Sequence, residues 1–270
     1  MQPSPRPEKT KAGIHRLLVV LLAAAFGLVL AVDNLALTLP GPAGWPAALL
    51  LLLAVAGTIA ALARHLPLQN VLLAALIIAL LGAAAHTLGA ISGIPFGPFL
   101  FGAEAGPQLF KTLPWPVPLL WVLILLNSRG VARLILRPWR KVRNYGFWLI
   151  GLTALLALLF DLAFDPFAVR EKHYWIWLPT RFPVTWQGAP LMNFFSWAAV
   201  SLLILAFATP ALINKNPHRR SPDFHPLVVW LGAILLFGIA AARHEMWPAA
   251  ALDGAIAVVT ATFAIRGGRW

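Results

Sequence analysis

Two aspartates and a dense set of indoles, lodged between long apolar runs, are the residues best placed to do chemistry. Asp161-Leu-Ala-Phe-Asp165-Pro166 is followed by Tyr174-Trp175-Ile-Trp177, and then by Gly188-Ala-Pro190-Leu-Met-Asn193-Phe194-Phe-Ser-Trp197. A charged residue at bilayer depth costs roughly 2.5–3.5 kcal/mol on insertion scales, so an acid just inside a hydrophobic run marks a functional candidate. Asp161 and Asp165 are four residues apart and share a face, about 6 Å from each other, if the helix continues. Pro166 disfavours helical geometry for Asp165, so the helix is expected to end there. Paired carboxylates in an apolar setting can retain one proton between them, and a neutral carboxylic acid is a general acid. The blander reading has Asp165 bonding backbone groups at a helix end and Asp161 paired with an arginine.

Trp175, Trp177, Trp186 and Trp197, with Tyr174, fit two accounts. One is the aromatic belt found at membrane interfaces. The other is a wall of π faces that tolerates a carbocation or stacks on a polyene. Spacing does not decide between them. His86, near the end of the third apolar run, and Glu104 are candidates for a second acid–base group. Asn193 opens the sixth run, where an amide either orients water or caps the helix; capping is the simpler reading. The seven histidines form neither an HExxH pair nor clustered boxes, and no Walker-type or GxGxxG loop is present. Neither a metal nor a nucleotide cofactor is therefore expected. With no cysteine, the chain has no disulfide, thiolate nucleophile or Fe–S ligand.

The elements that must position these residues are membrane helices. Sixty per cent of the residues are hydrophobic and 11% are charged, with a mean hydropathy of +0.80. Eight helix-length Leu/Ala/Val blocks lie near 17–38, 46–63, 68–88, 113–127, 146–163, 191–213, 226–242 and 248–265. A span needs roughly 20 apolar residues. The expected fold is an all-α, polytopic transmembrane bundle of about eight spans, forming one domain over 17–270 behind a polar tail at 1–16. Residues 14–32 have the basic flank of a signal peptide, but the run is long and lacks an Ala-x-Ala site, so it reads as a retained helix. Residues 89–112 are rich in Gly and Pro and read as a broken or re-entrant segment. Their Gly89-x-x-x-Gly93-x-x-x-Gly97 run could be a helix-packing face, though Pro95 argues against a continuous helix.

The net charge of +12 does not point to nucleic acid. With eight spans and a cytoplasmic N-terminus, sixteen of the 21 Lys and Arg fall on the inner side and five on the outer. That is the positive-inside bias. The basic run 129–143 then reads as a loop facing anionic headgroups. Most carboxylates collect near the outer face instead, alongside Asp33, Asn34 and His244-Glu245.

Two blocks resemble the integral-membrane carotenoid biosynthesis protein family that includes bisanhydrobacterioruberin hydratase and carotenoid 1,2-hydratases. The first is Gly93-Ile-Pro-Phe96-Gly97-x-Phe99-x-Phe101, with Gly106-Pro107 and Pro114-x-x-x-Pro118-x-x-Trp121. The second is Asp161-x-x-x-Asp165-Pro166, Trp175-x-Trp177 and Gly188-x-Pro190-x-x-Asn193-Phe194-x-x-Trp197. The chain departs from the family pattern at Phe99 and Phe101 (tyrosines), His86 (glutamate), Ala105 (leucine), and Thr112 and Ser196 (glycines). The resemblance implies a divergent member that adds water across the terminal double bond of a carotenoid ψ end group, without a cofactor. Asp165 or Asp161 would be the acid. Phe96, Phe99, Phe101, Trp121, Trp175, Trp177, Trp186, Phe194 and Trp197 would line the substrate, and His86, Glu104 or Asn193 would hold water. Its partners would be a carotenoid or other long polyene, membrane lipids and neighbouring enzymes of the pathway, in a bacterial inner membrane with both termini cytoplasmic. A terpenoid cyclase or isomerase, or a non-catalytic carotenoid-binding protein, is the alternative.

Overall fold

Apolar blocks of 19 to 27 residues form eight helices, each long and apolar enough to cross a bilayer. A helix satisfies its own backbone, as a lipid-embedded segment must. The computed structural model describes residues 6–35, 39–40, 44–180, 184–213 and 221–270, with side chains from residue 13 onward and those of 34–35 excepted. The helices are α1 (Arg6–Leu35), α2 (Trp45–Ala63), α3 (Leu68–Ser92), α4 (Pro116–Ile135), α5 (Tyr145–Pro166), α6 (Leu191–Ala208), α7 (His225–Arg243) and α8 (Trp247–Gly268). The protein is an all-α polytopic integral membrane protein. Prolines occupy the first turns of α2, α4, α7 and α8, where a missing N–H costs nothing. Residues 6–16, read as polar tail, already belong to α1. Arg181, Lys215, Arg219, Arg220 and residues 1–5 lie outside the described residues, as does the side chain of Asn34.

The centre of the bundle is α4, which packs on α2, α3, α5, α7 and α8. Its span is 67% buried yet has the lowest hydropathy of the eight. Interior polar pairs explain this. Asn127 donates to Thr58 at 3.0 Å and to the Leu123 carbonyl at 2.8 Å, Trp230 donates to Ser128 at 3.2 Å, and Arg129 donates to the Leu212 carbonyl at 3.2 Å. Hydropathy alone placed this span at 113–127. The helix instead runs to Ile135, because buried partners let it carry Asn127, Ser128 and Arg129. The stretch read as a basic loop therefore begins inside a helix.

At one end, here called the site end, four connections meet. Residues 93–115 hold β1 (Phe99–Phe101), β2 (Gln108–Leu109) and β3 (Leu113–Pro114). Residues 172–190 hold β4 (Trp175–Trp177), β5 (Thr185–Trp186) and β6 (Ala189–Pro190). β2 pairs with β3, and β5 with β6. β1 pairs antiparallel with β4, setting Phe99 opposite Trp177 and Phe101 opposite Trp175. The two connections are thereby clasped together. Gly102 permits the approach, since a Cβ there would run into the His173 carbonyl. Ion pairs fasten the other two: Lys172 to Asp33 at 2.7 Å, and Glu171 to Arg243 and His244. The segment 89–112 is thus broken, as its glycines and prolines imply. Only its first residues are helical, and Gly93 and Gly97 turn the chain with positive φ instead of extending a packing face.

The far end is held by Arg64, which pairs with Asp223 at 2.8 Å. Burial pushes the Asp223 carboxyl up, but His65, the His225 backbone N–H and Arg64 outweigh it and hold the group well below the usual carboxylate range.

Candidate active site

α5 carries Asp161 and Asp165 to the site end on one face, and both are fully buried. Asp165 is held by indoles. Its Oδ1 accepts from Trp175 Nε1 at 3.0 Å and from Trp177 Nε1 at 3.2 Å, and its Oδ2 accepts from Trp177 Nε1 at 3.1 Å. Both donors sit on β4, where alternate residues face the same way, so the Trp-x-Trp spacing aims two N–H groups at one carboxylate. Asp161 Oδ2 accepts from Asn193 Nδ2 at 2.7 Å, whereas Asp161 Oδ1 is buried with no partner among the described residues. Asn193 is therefore a carboxylate ligand, and α6 has no side-chain cap. Among the described residues, Asp161 pairs with no arginine.

The helix does not end at Asp165. Asp165 and Pro166 both remain in α5, which widens into a π turn over Phe167–Glu171. A proline removes the hydrogen bond to the carbonyl four residues back, here Leu162. Trp186 Nε1 donates to that carbonyl at 3.2 Å. The freed acceptor is thus satisfied from the hairpin, and the helix holds through the proline. Trp186 is accounted for by this bond and does not line the cavity around the aspartates.

His86 lies in an aromatic cage. Its ring is 4.5 Å from Phe96, 6.3 Å from Phe99 and 5.7 Å from both Trp121 and Trp197. Trp121 Nε1 donates to His86 Nδ1 at 3.0 Å. An indole only donates, so Nδ1 accepts and the neutral imidazole carries its proton on Nε2. Trp121 is fixed in turn by stacking on Trp197, at 4.0 Å and 17°. Gly82 gives it room, since a Cβ there would clash with the indole.

His86, Phe96, Phe99, Phe101, Asp161, Asp165, Trp175, Trp177, Asn193 and Trp197 surround one cavity of about 10 Å³. That is about the space one water needs. The structure therefore gathers most of the residues singled out by sequence. Trp121 stands behind His86, and Phe194 is buried in α6 without lining the cavity. Glu104 lies exposed in a single turn at Ala103–Ala105, away from the carboxylates. Phe164 carries no motif-like signal, and Ser196 stands out only as a departure from the family's glycine. Phe164 packs on Trp175 at 5.5 Å. Ser196 donates to the Pro95 carbonyl at 2.6 Å, tying α6 to the turn that carries Phe96. Beside the cavity, Tyr174 is a neutral phenol: burial, then the charges of Asp33 and Glu104, push it up to about 12.

An acid pair, one free carboxyl oxygen, a histidine of fixed tautomer and walls of π faces can protonate an alkene and place a water beside the resulting cation. Over 157 residues the chain is 27% identical to the bisanhydrobacterioruberin hydratase of Haloarcula japonica, an alignment covering 56% of this chain and 51% of the relative. The chain thus spans about half the length of the curated relative it matches. No solved structure matches it. The sequence profile described as Carotenoid biosynthesis protein matches residues 46–260, which include every residue of the cavity, and the chain belongs to that family.

Proposed function

We propose that the protein is a cofactor-independent hydratase that adds water to the terminal double bond of a carotenoid ψ end group. Its place is a bacterial inner membrane, with both termini cytoplasmic. One observation carries the reading: Asp161 lines a one-water cavity walled by aromatic rings, and its Oδ1 is buried without a partner among the described residues. Every oxygen of Asp165 already accepts an indole N–H, and Asp161 Oδ2 accepts the Asn193 amide. The oxygen left to carry a transferable proton is Asp161 Oδ1. Asp165, ringed by donors, is the fixed counter-charge.

The alkene takes the Asp161 proton at its less substituted carbon, leaving a tertiary cation. The π faces of Trp177, Phe99 and Phe101 favour that cation over a charge in bare hydrocarbon. Water adds to it, and the extra proton of the new C–OH2 group returns to the aspartate pair, so the acid is regenerated. His86 Nε2–H holds the water. The Asn193 amide, already bonded to Asp161 Oδ2, is in place for the negative charge that develops there as the proton leaves.

Co-expression with a lycopene pathway in a carotenoid-free host tests this. Mass analysis of the pigments should show a gain of one water that disappears in Asp161→Asn. Rearranged pigment of unchanged mass would instead indicate an isomerase or cyclase. Unaltered pigment with folded protein in the membrane would remove the hydratase reading for this polyene.

A further inference from the structure

The cavity around the aspartates holds about one water and has no space for a carbon chain. A second cavity, of about 590 Å³, lies between α1 and α2 on one side and α4, α5 and α7 on the other. Along α7 its lining runs from His225 to Phe237, about 18 Å at 1.5 Å per residue. Val19, Val228 and Leu235 line it and are exposed, so it opens sideways to the bilayer. Its lining is graded. Towards the far end it is mostly aliphatic; at the site end Phe160, Phe164, Phe167 and Phe237 crowd together, with Phe237 5.0–5.4 Å from the other three rings, and Tyr174 and Lys172, whose charge is paired with Asp33, complete the wall. The far end closes on His225, which is 9% exposed and whose Nε2 has no partner among the described residues. An orphaned buried nitrogen in a cavity wall marks a place for a ligand atom or a water.

We propose that this groove seats the hydrocarbon body of the polyene, and that Phe164 and Trp175 are the partition between the seat and the acid. The inference rests on the functional reading above. Volume for a hydrocarbon is available here and not at the carboxylates, and two observations favour a polyene over a phospholipid tail. The ring-lined end suits a conjugated chain, which an aliphatic tail does not require. The groove is also continuous with the site, since Phe164 lines it and packs on Trp175, the indole that bonds Asp165. A chain entering from the lipid at α1 and α7 would lie along α7, and its reacting end would pass between Phe164 and Trp175.

Plugging the groove tests the seat. Gly232 faces Phe26 across it, with 3.7 Å from an added Cβ to that ring. Gly232→Ala fits at ordinary contact, and Gly232→Trp fills the groove. Ala23→Trp plugs it from α1, where the position is exposed and no core packing is lost. The purified proteins are loaded in lycopene-containing nanodiscs, and retained lycopene and phospholipid are counted per chain. Both tryptophan variants should retain less lycopene, on the order of tenfold, as overpacking of this size implies. Wild type, Gly232→Ala and Asp161→Asn should retain it alike. Unchanged lycopene in Ala23→Trp, or loss of phospholipid with lycopene unchanged, overturns the proposal, and Ala23→Trp decides if Gly232→Trp misfolds. Retention is read separately from water addition. Lycopene lost on plugging, with no hydration by the wild type, would keep the seat and remove the hydratase.

Discussion

On one side of α5, two carboxylates, an amide and three indoles enclose about 10 Å³; about 100° around the same helix, phenylalanines open onto about 590 Å³. The adjacent residues Phe164 and Asp165 face the two spaces. The small chamber holds the carboxylates, and among the described residues Asp161 Oδ1 is buried there without a partner. The large one is mainly apolar, with Lys172 and Tyr174 at its site end and the unpartnered His225 Nε2 at the end away from the aspartates. The contrast shows how a membrane protein can keep an acid dry while offering a wide berth to a hydrocarbon. On the proposed reading, affinity would come from one face of the helix and proton transfer from the other, so the two should be separable by mutation.

The largest separation is expected from Asp161→Asn. It should lower water addition by about 10²–10⁴-fold, the usual contribution of a general acid, with bound lycopene unchanged. Loss of both together would collapse the contrast into one site. Trp177→Phe removes the indole N–H that reaches both oxygens of Asp165. A bond to a charged group contributes about 1.5–3 kcal/mol, so turnover in a membrane assay should fall about tenfold to a hundredfold, again with pigment retained. Trp121→Phe frees His86 to take either tautomer. A neutral hydrogen bond is worth about 0.5–1.5 kcal/mol, so a loss of about two- to tenfold in turnover is expected, and a change in the pH profile would separate it from simple loss of packing.

Two smaller effects concern stability. Trp186→Phe leaves the Leu162 carbonyl without its donor, and unfolding should move down by about 1 kcal/mol, or a few degrees in Tm. An unchanged Tm would mean that the helix tolerates Pro166 unaided. The last effect belongs to Asp223, at the far end of the bundle, which accepts from the His225 backbone N–H. Its folded-state carboxyl titrates lower than in an unfolded chain, so its stabilisation is present above about pH 4 and lost as pH falls further. Asp223→Asn should lower Tm at neutral pH and match the wild type in acid.

The sequence made the grouping of these residues legible because motif and geometry coincide there. Asp161 and Asp165 are one helical turn apart, and Trp175 and Trp177 are one strand repeat apart. What it hid depended on partners from elsewhere in the chain. Asp165 stays helical because Trp186 supplies what Pro166 withholds. Asn193 looks like a cap until Asp161 is placed beside it. The fourth span looks short until Thr58, Trp230 and Leu212 are seen to satisfy its polar residues. The groove left no motif, because phenylalanine, leucine and valine read alike in a core, a lipid face or a binding surface.

The clasp between β1 and β4 also sets an order of assembly. Phe99 and Phe101 are synthesised before α5, and Trp175 and Trp177 directly after it, so a ribosome delivers the aspartates between the two halves of their cover. Asn193 and Trp197 arrive last, on α6. A chain stopped after β4 has its acid pair shielded but without its amide and without the indole on which Trp121 stacks. Maturation of the chamber therefore belongs to the sixth span. A nascent chain has every residue of the chamber only once α6 has followed the first five helices.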